Sequence, residues 1–169
     1  FGNVFDYVEQ PCNSLNELAR VKIETPIRIA ADESIRKNLG SNFEHFSKYA
    51  DVAILKWQPV GGIKAAHTIA EQIGLPVVIS SALETGIGIS HGLALAASFE
   101  DSVSVCGLGT VALFEDDICE PATLVDDGFL VVKRREPVDH ERYLASPERT
   151  QYWRQRILRV LELIERRAQ

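Results

Sequence analysis

Four residues recur at a steady interval along the first half of the chain. Glu9, Asp32, Lys56 and Ser80 follow one another at spacings of 23, 24 and 24 residues. Each stands at or just past the end of a short apolar run: FDYVE at 5–9, IRIAAD at 27–32, DVAILK at 51–56 and PVVISS at 76–81. Carboxylates ending neighbouring strands can converge on one ion, and Mg²⁺ takes hard oxygen ligands of this kind. Taken singly, each acid also reads as a surface or helix-capping residue; their shared place in the period is what puts an ion beside that reading. A lysine ending a buried strand lies near low dielectric, where its pKa falls and it can act as acid or base. The competing reading of Lys56 is a side chain snorkelling into solvent. Ser80 and Ser81 can donate hydrogen bonds to a carboxylate ligand, or cap the helix that follows. The pairs Gly61-Gly62 and Gly107/Gly109 allow close backbone approach to a ligand, or simply serve tight turns. Glu33 and Glu84 read as rim acids in supporting or ion-pair roles. His45, His67 and His91 fall in helical stretches and His140 in the tail. None ends a strand, which argues against histidine catalysis.

The elements that must position these groups alternate. Helices are predicted at 14–22 with Ser14 as N-cap, at 41–50, at 62–74 and at 88–99. Ile63, Ala66, Ile69, Ala70 and Ile73 recur at helical spacing, with Gly74 as the C-cap. A last short strand is expected within SVSVCGLG at 102–109. Strand–helix alternation with near-continuous apolar strands means a parallel sheet covered by helices. A barrel delivers polar residues from several strand ends to one rim, whereas a doubly wound sheet places its ligand at one crevice. The constant period and the absence of a glycine-rich nucleotide loop after the first strand favour the barrel. Beyond residue 110 the pattern changes: a strand is expected at 128–133 after an Asp127-Gly128 turn. A long amphipathic helix then starts near Ser146-Pro147-Glu148 and carries a Trp153, Ile157, Leu161, Ile164 stripe.

The bulk composition narrows the function classes. The 169 residues suffice for a domain with a sizeable core. A net charge of −6 argues against nucleic acid. The basic residues near the C-terminus are interleaved with acids, as on a solvated helix face. No apolar run reaches the ~18 residues of a membrane span. Three cysteines without CxxC spacing suggest neither a disulfide framework nor a thiolate metal site, and fit a reducing cytoplasm. Cys12 and Cys106 read as core residues and Cys119 as a surface one. The chain holds no Met and opens almost directly on a strand, as a piece of a longer protein would.

The ordered set VEQPC, AADES, LKWQPVGG, SSALETGIGIS and CGLGT resembles the strand-four to strand-eight signature of the enolase superfamily. Within it the set is most similar to the actinobacterial o-succinylbenzoate synthase family of the muconate-lactonizing-enzyme-like subgroup. The resemblance spans nearly the whole chain and is weakest past residue 120. It implies the C-terminal half of a (β/α)7β barrel over residues 1–110. Residues 111–169 would form an extension that packs on the barrel or on a capping domain. It implies Glu9 and Asp32 as the second and third ligands of Mg²⁺, with Mn²⁺ as a substitute. Lys56 would be the sixth-strand lysine, which faces the substrate across from a second lysine and stabilises the enediolate or its aromatic ring rather than moving the key proton. Ser81 and backbone groups near Gly107 would hold a succinyl tail. The implied reaction is metal-assisted dehydration of 2-succinyl-6-hydroxy-2,4-cyclohexadiene-1-carboxylate to o-succinylbenzoate, a carbon–oxygen lyase step of menaquinone biosynthesis.

The family's paired lysines on strand two and its first metal carboxylate have no counterpart in this chain. The expected partners are therefore a small carboxylate substrate and an N-terminal part of the same protein, with an open barrel edge where that part is absent. Two further readings share the scaffold: an N-succinylamino acid racemase or dipeptide epimerase, and a non-catalytic half-barrel module. A mandelate-racemase-like dehydratase is disfavoured, because Ser80-Ser81 stands where that subgroup needs a histidine.

Overall fold

Short β-branched and aliphatic runs form strands wherever both of their faces can be covered, and this dictates the order of the chain. A computed structural model describes residues 5–41, 43–99, 105–138 and 141–167. Strands β1 (Val8–Glu9), β2 (Ile29–Ala31), β3 (Val52–Leu55) and β4 (Val77–Ile79) form one parallel sheet in the order β1-β2-β3-β4. A parallel bridge from Ser80 to Gly107 adds the next position along the sheet. Between the strands run the helices α1 (Leu15–Glu24), α2 (Glu33–Lys37) and α3 (Ile63–Ile73), and α4 (Gly86–Ala97) follows β4. Each strand neighbours the next in sequence, with no reversal of order. That is how a barrel wall is built, and it is unlike a doubly wound sheet. The fold is α/β, with a parallel sheet that forms half of a barrel.

The period of two along each strand divides the core into two layers. Ala30, Val52 and Ile54 point to one face with Tyr7 and Val78 beside them. Ile29, Ala31, Ala53, Leu55 and Ile79 point to the other, where they meet Leu18, Ile35, Ala66, Ile69, Ile73 and Ile89 of the surrounding helices. Every residue of β2 and β3 is buried, which explains their unbroken apolar composition. The helix ends follow local chemistry. Ser14 and Glu17 form a reciprocal capping box at the start of α1. Gly74 closes α3 with φ +62°, donating its N–H to the Ala70 carbonyl at 3.1 Å.

Four expectations are corrected. The helix over 41–50 is only a 3₁₀ turn at Phe46–Lys48, preceded by His45 at φ +64°, so His45 is not helical. Phe43, Phe46 and Tyr49 pack edge to face with centroids 5.6 and 5.7 Å apart, and this aromatic contact replaces helical packing. The strand over 128–133 is not formed. Asp127 and Gly128 make the expected turn, closed by mutual Asp126–Phe129 hydrogen bonds, but Val131 and Val132 stay exposed without a partner strand among the described residues. Cys119 is buried rather than on the surface, because Gly86 leaves room for its sulfur against the first turn of α4. The last strand, expected over 102–109, is reduced to the Gly107 bridge; residues 102–104, like His140, lie outside the described residues.

The chain divides into two units, one ending at Pro137 and the other starting at Val138. The second unit is dominated by α5 (Pro147–Arg167), and none of its described side chains is buried. No helix among the described residues is long and apolar enough to cross a membrane.

Candidate active site at the strand ends

The same period of two explains why the chemistry-bearing residues meet. Glu9 pairs in register with Ala30, and so shares its face of the sheet. Asp32 lies two residues beyond Ala30, Lys56 two beyond Ile54 and Ser80 two beyond Val78. All four therefore continue the inner layer past its apolar residues to the C-terminal rim. A one-residue slip would have turned each of them toward the helices.

Three of the four are in direct contact range. The Lys56 ammonium pairs with Asp32 Oδ2 and lies 4.0 Å from Glu9 Oε1. The Lys56 side chain is 21% exposed and that of Asp32 10%, against 43% for Glu9, so the pair is shielded while Glu9 opens to solvent. The Glu9 carboxyl is held above its usual range, first by burial and then by the negative charge of Asp32, against the opposing pull of Lys56. Two hard oxygen donors this close, with like charges pressing on each other, suit a divalent cation such as Mg²⁺. Among the described residues no group of three or more acidic, His or Cys side chains converges, so these two donors leave most of such an ion's shell to other oxygens. Asp32 and Lys56 also line a cavity of about 530 Å³ with Glu33, Arg36, Pro59 and Ala82.

Ser81 falls on the other parity of its strand and does not join this group. Its hydroxyl shares a 2.6 Å hydrogen bond with Thr110, and its N–H donates to the Gly107 carbonyl at 3.0 Å. The Gly107 N–H is spent on Ile79. A Cβ at Gly107 would fall 2.6 Å from Ser80 Oγ, so close packing of the two strands requires glycine there. Neither Glu33 nor Glu84 joins an ion pair among the described residues. Glu84 is buried with both carboxyl oxygens lacking a hydrogen-bond partner, and burial raises its carboxyl above the usual range.

Sequence reasoning missed the residue that holds the Asp32 loop. Gln10 has φ +41°, and its amide bridges two strand ends. Its Oε1 accepts from the N–H groups of Asp32 and Ser34 at 3.0 and 3.1 Å. Its Nε2 donates to Ser34 Oγ at 2.8 Å and to the Cys12 carbonyl at 2.7 Å. A polar residue beside Glu9 was the available signal, but two of its three partners, Asp32 and Ser34, lie 22 and 24 residues away. Trp57 was also missed: its indole N–H donates to the Gly88 carbonyl at 3.1 Å, and its ring stacks on His91.

The family model for enolase C-terminal domain-like proteins matches residues 3–137. The chain belongs to that family. Curated relatives agree on a more specific name. An o-succinylbenzoate synthase of Mycobacterium tuberculosis is 44% identical over 161 residues, covering 94% of this chain and 49% of that protein. One of Thermobifida fusca is 46% identical over 129 residues, covering 76% of this chain and 41% of that protein. The chain thus spans about half the length of the curated relatives it matches. Among solved structures, a muconate lactonizing enzyme of Pseudomonas fluorescens complexed with muconolactone superposes with a TM-score of 0.68 at 27% identity, over 80% of this chain and 38% of that one. A substrate-liganded L-Ala-D/L-Glu epimerase of Bacillus subtilis gives 0.64 at 27% identity, over 79% and 38%. The family matches the superfamily resemblance carried by VEQPC, AADES and SSALE, and the structural overlap covers a part of the barrel in each case.

Proposed function

We propose that this chain carries part of the active site of an o-succinylbenzoate synthase, a carbon–oxygen lyase that dehydrates 2-succinyl-6-hydroxy-2,4-cyclohexadiene-1-carboxylate. The observation that carries the reading is the convergence of Glu9, Asp32 and Lys56 at three consecutive strand ends. The names shared by the curated relatives point to the substrate.

Glu9 and Asp32 would hold Mg²⁺, or Mn²⁺ in its place, with the remaining ligands supplied by substrate, water and residues beyond this chain. When bound, such an ion supplies Lewis-acid stabilisation of negative charge on carboxylate oxygens. Lys56, released in part from Asp32, would place its ammonium beside the charge that develops as the α-proton departs. Its strand holds it at the rim, so only the side chain has to turn from Asp32 to meet that charge. A base supplied by the rest of the protein would take the α-proton as the α C–H bond breaks; its electron pair forms the new ring double bond, and the C–O bond of the 6-hydroxyl breaks as the departing hydroxide takes up a proton. One water is lost and the ring becomes aromatic. Ser81, whose hydroxyl would have to leave Thr110 to do so, and the backbone near Gly107 would border the succinyl tail. Gln10 would keep Asp32 in place throughout.

The test is to incubate the full-length protein with substrate and Mg²⁺ and follow the ultraviolet absorbance of the aromatic product. The expected result is a rise that requires metal and disappears in Lys56→Ala and Asp32→Ala. Absence of aromatic product, together with loss of chirality in an N-succinylamino acid, would overturn the dehydratase reading in favour of racemisation on the same scaffold.

A further inference from the structure

The proposed substrate carries two carboxylates, but the groups assigned so far offer charge to only one of them. Ser81 offers a succinyl tail at most a hydroxyl now bonded to Thr110, and the Gly107 backbone, its N–H spent on Ile79, offers neither a donor nor a positive charge. The cavity beside Asp32 has two cations in its lining, Lys56 and Arg36. Lys56 is engaged by Asp32 and Glu9. Arg36 is exposed, and its guanidinium forms no hydrogen bond or ion pair among the described residues. Its placement follows from the chain. Asp32 stands at the N-cap position of α2, and the Arg36 N–H reaches back to the Asp32 carbonyl at 3.4 Å, one turn later. Residues four apart share a face of a helix, so the Arg36 side chain rises beside Asp32 into the cavity. The cavity, about 530 Å³, extends from there past Lys56 and Pro59 to Ala82, the neighbour of Ser81. It is larger than a single ion requires and has a free cation on one wall. A guanidinium presents a planar fork of donors that matches a carboxylate with two parallel hydrogen bonds.

We propose that Arg36 binds the distal, succinyl carboxylate of the substrate and so selects dianionic, succinyl-bearing compounds; this rests on the reading of the site given above. The role is one of specificity. Arg36 touches the tail and not the reacting carbons, so its loss acts on binding of the tail and not on the chemistry.

The experiment is a calorimetric titration of the full-length protein, with Mg²⁺ present, using o-succinylbenzoate and its succinyl monomethyl ester. Arg36→Gln is expected to weaken binding of the diacid by about ten- to a hundredfold, the scale of one charge-assisted bidentate pair. It should change binding of the ester less than about twofold, since the ester has no tail charge to lose. Arg36→Lys should fall between, keeping the charge but not the fork. Equal losses for diacid and ester, or no loss for either, would overturn the assignment. If the wild type forms no aromatic product, the reading of the reaction falls instead. The same diacid-against-ester comparison with an N-succinylamino acid then decides the role of Arg36 on its own.

Discussion

Replacing Gln10 by Ala should damage the site without touching a proposed ligand. The amide makes four hydrogen bonds of 2.7–3.1 Å, to Cys12, Asp32 and Ser34. Ser34 and Asp32 are both buried, so their N–H groups cannot find water freely once the amide is gone. At about 0.5–1.5 kcal/mol net for each neutral bond, and with partial replacement by water at the half-exposed Cys12, the loss comes to about 2–4 kcal/mol. Ala is no better suited than Gln to φ +41°, so the backbone contributes little to the difference. Gln10→Gly should recover about 1 kcal/mol of that loss by relieving the left-handed strain. Because the bonds fix the Asp32 backbone, Mg²⁺ affinity should fall about tenfold or more, as is usual when a partner that orients a metal ligand is removed. Urea unfolding and calorimetric Mg²⁺ titration of the full-length protein measure the two effects. A destabilisation below about 0.5 kcal/mol with unchanged metal affinity would mean that Gln10 does not hold the Asp32 loop.

Three further outcomes follow from the same geometry. Gly86→Ala places a Cβ 2.4 Å from Asp117 Oδ2 and 2.3 Å from Thr123 Oγ1, inside the hydrogen-bond cluster on the first turn of α4; it should cost about 1–3 kcal/mol in thermal or urea unfolding. Glu84 has a folded-state pKa raised above 4.5 by burial, so its contribution to stability is present below 4.5 and is lost as pH rises through the raised value. Glu84→Gln should flatten the pH dependence of the urea midpoint above pH 4.5, and an unchanged profile would show that Glu84 does not carry it. Lys56→Met should lower turnover by about 10²–10³-fold while leaving Mg²⁺ affinity equal or tighter, because it removes a competing cation from Asp32. A parallel loss of metal binding would mean that Lys56 acts by holding the carboxylates rather than by stabilising charge.

The barrel wall was legible because its determinants are local and periodic. Apolar runs such as VAIL and VVI, and a repeat of 23 or 24 residues, specify strands and their spacing. The period of two then places Glu9, Asp32 and Lys56 on one face. Capping was equally readable at Ser14 and Gly74, where one side chain or one backbone angle decides the end of a helix. Errors arose where distant contacts override local preference. Phe43, Phe46 and Tyr49 gain more from mutual packing than from a regular helix, and the helix over 41–50 shrinks to one turn. The GFLVV run is apolar and β-branched like a strand but meets no partner strand among the described residues, so its valines stay exposed. Cys119 looks like a surface residue until the empty space at Gly86, more than thirty residues earlier, is known. Gln10 and Arg36 were missed for related reasons. The bonds of Gln10 reach across two strands, and Arg36 belongs to a helix that begins inside the Asp32 loop.

In the proposed site the carboxylates at the ends of β1 and β2 hold the metal while Lys56 faces the substrate. A crystal of the full-length protein grown with Mn²⁺ and o-succinylbenzoate, recorded at the manganese absorption edge, tests it directly. The expected result is one anomalous peak within about 2.0–2.3 Å of oxygens from both Glu9 and Asp32, with Lys56 turned from Asp32 toward the product. A peak held by other residues, or no peak while Lys56 still bridges both carboxylates, would contradict it.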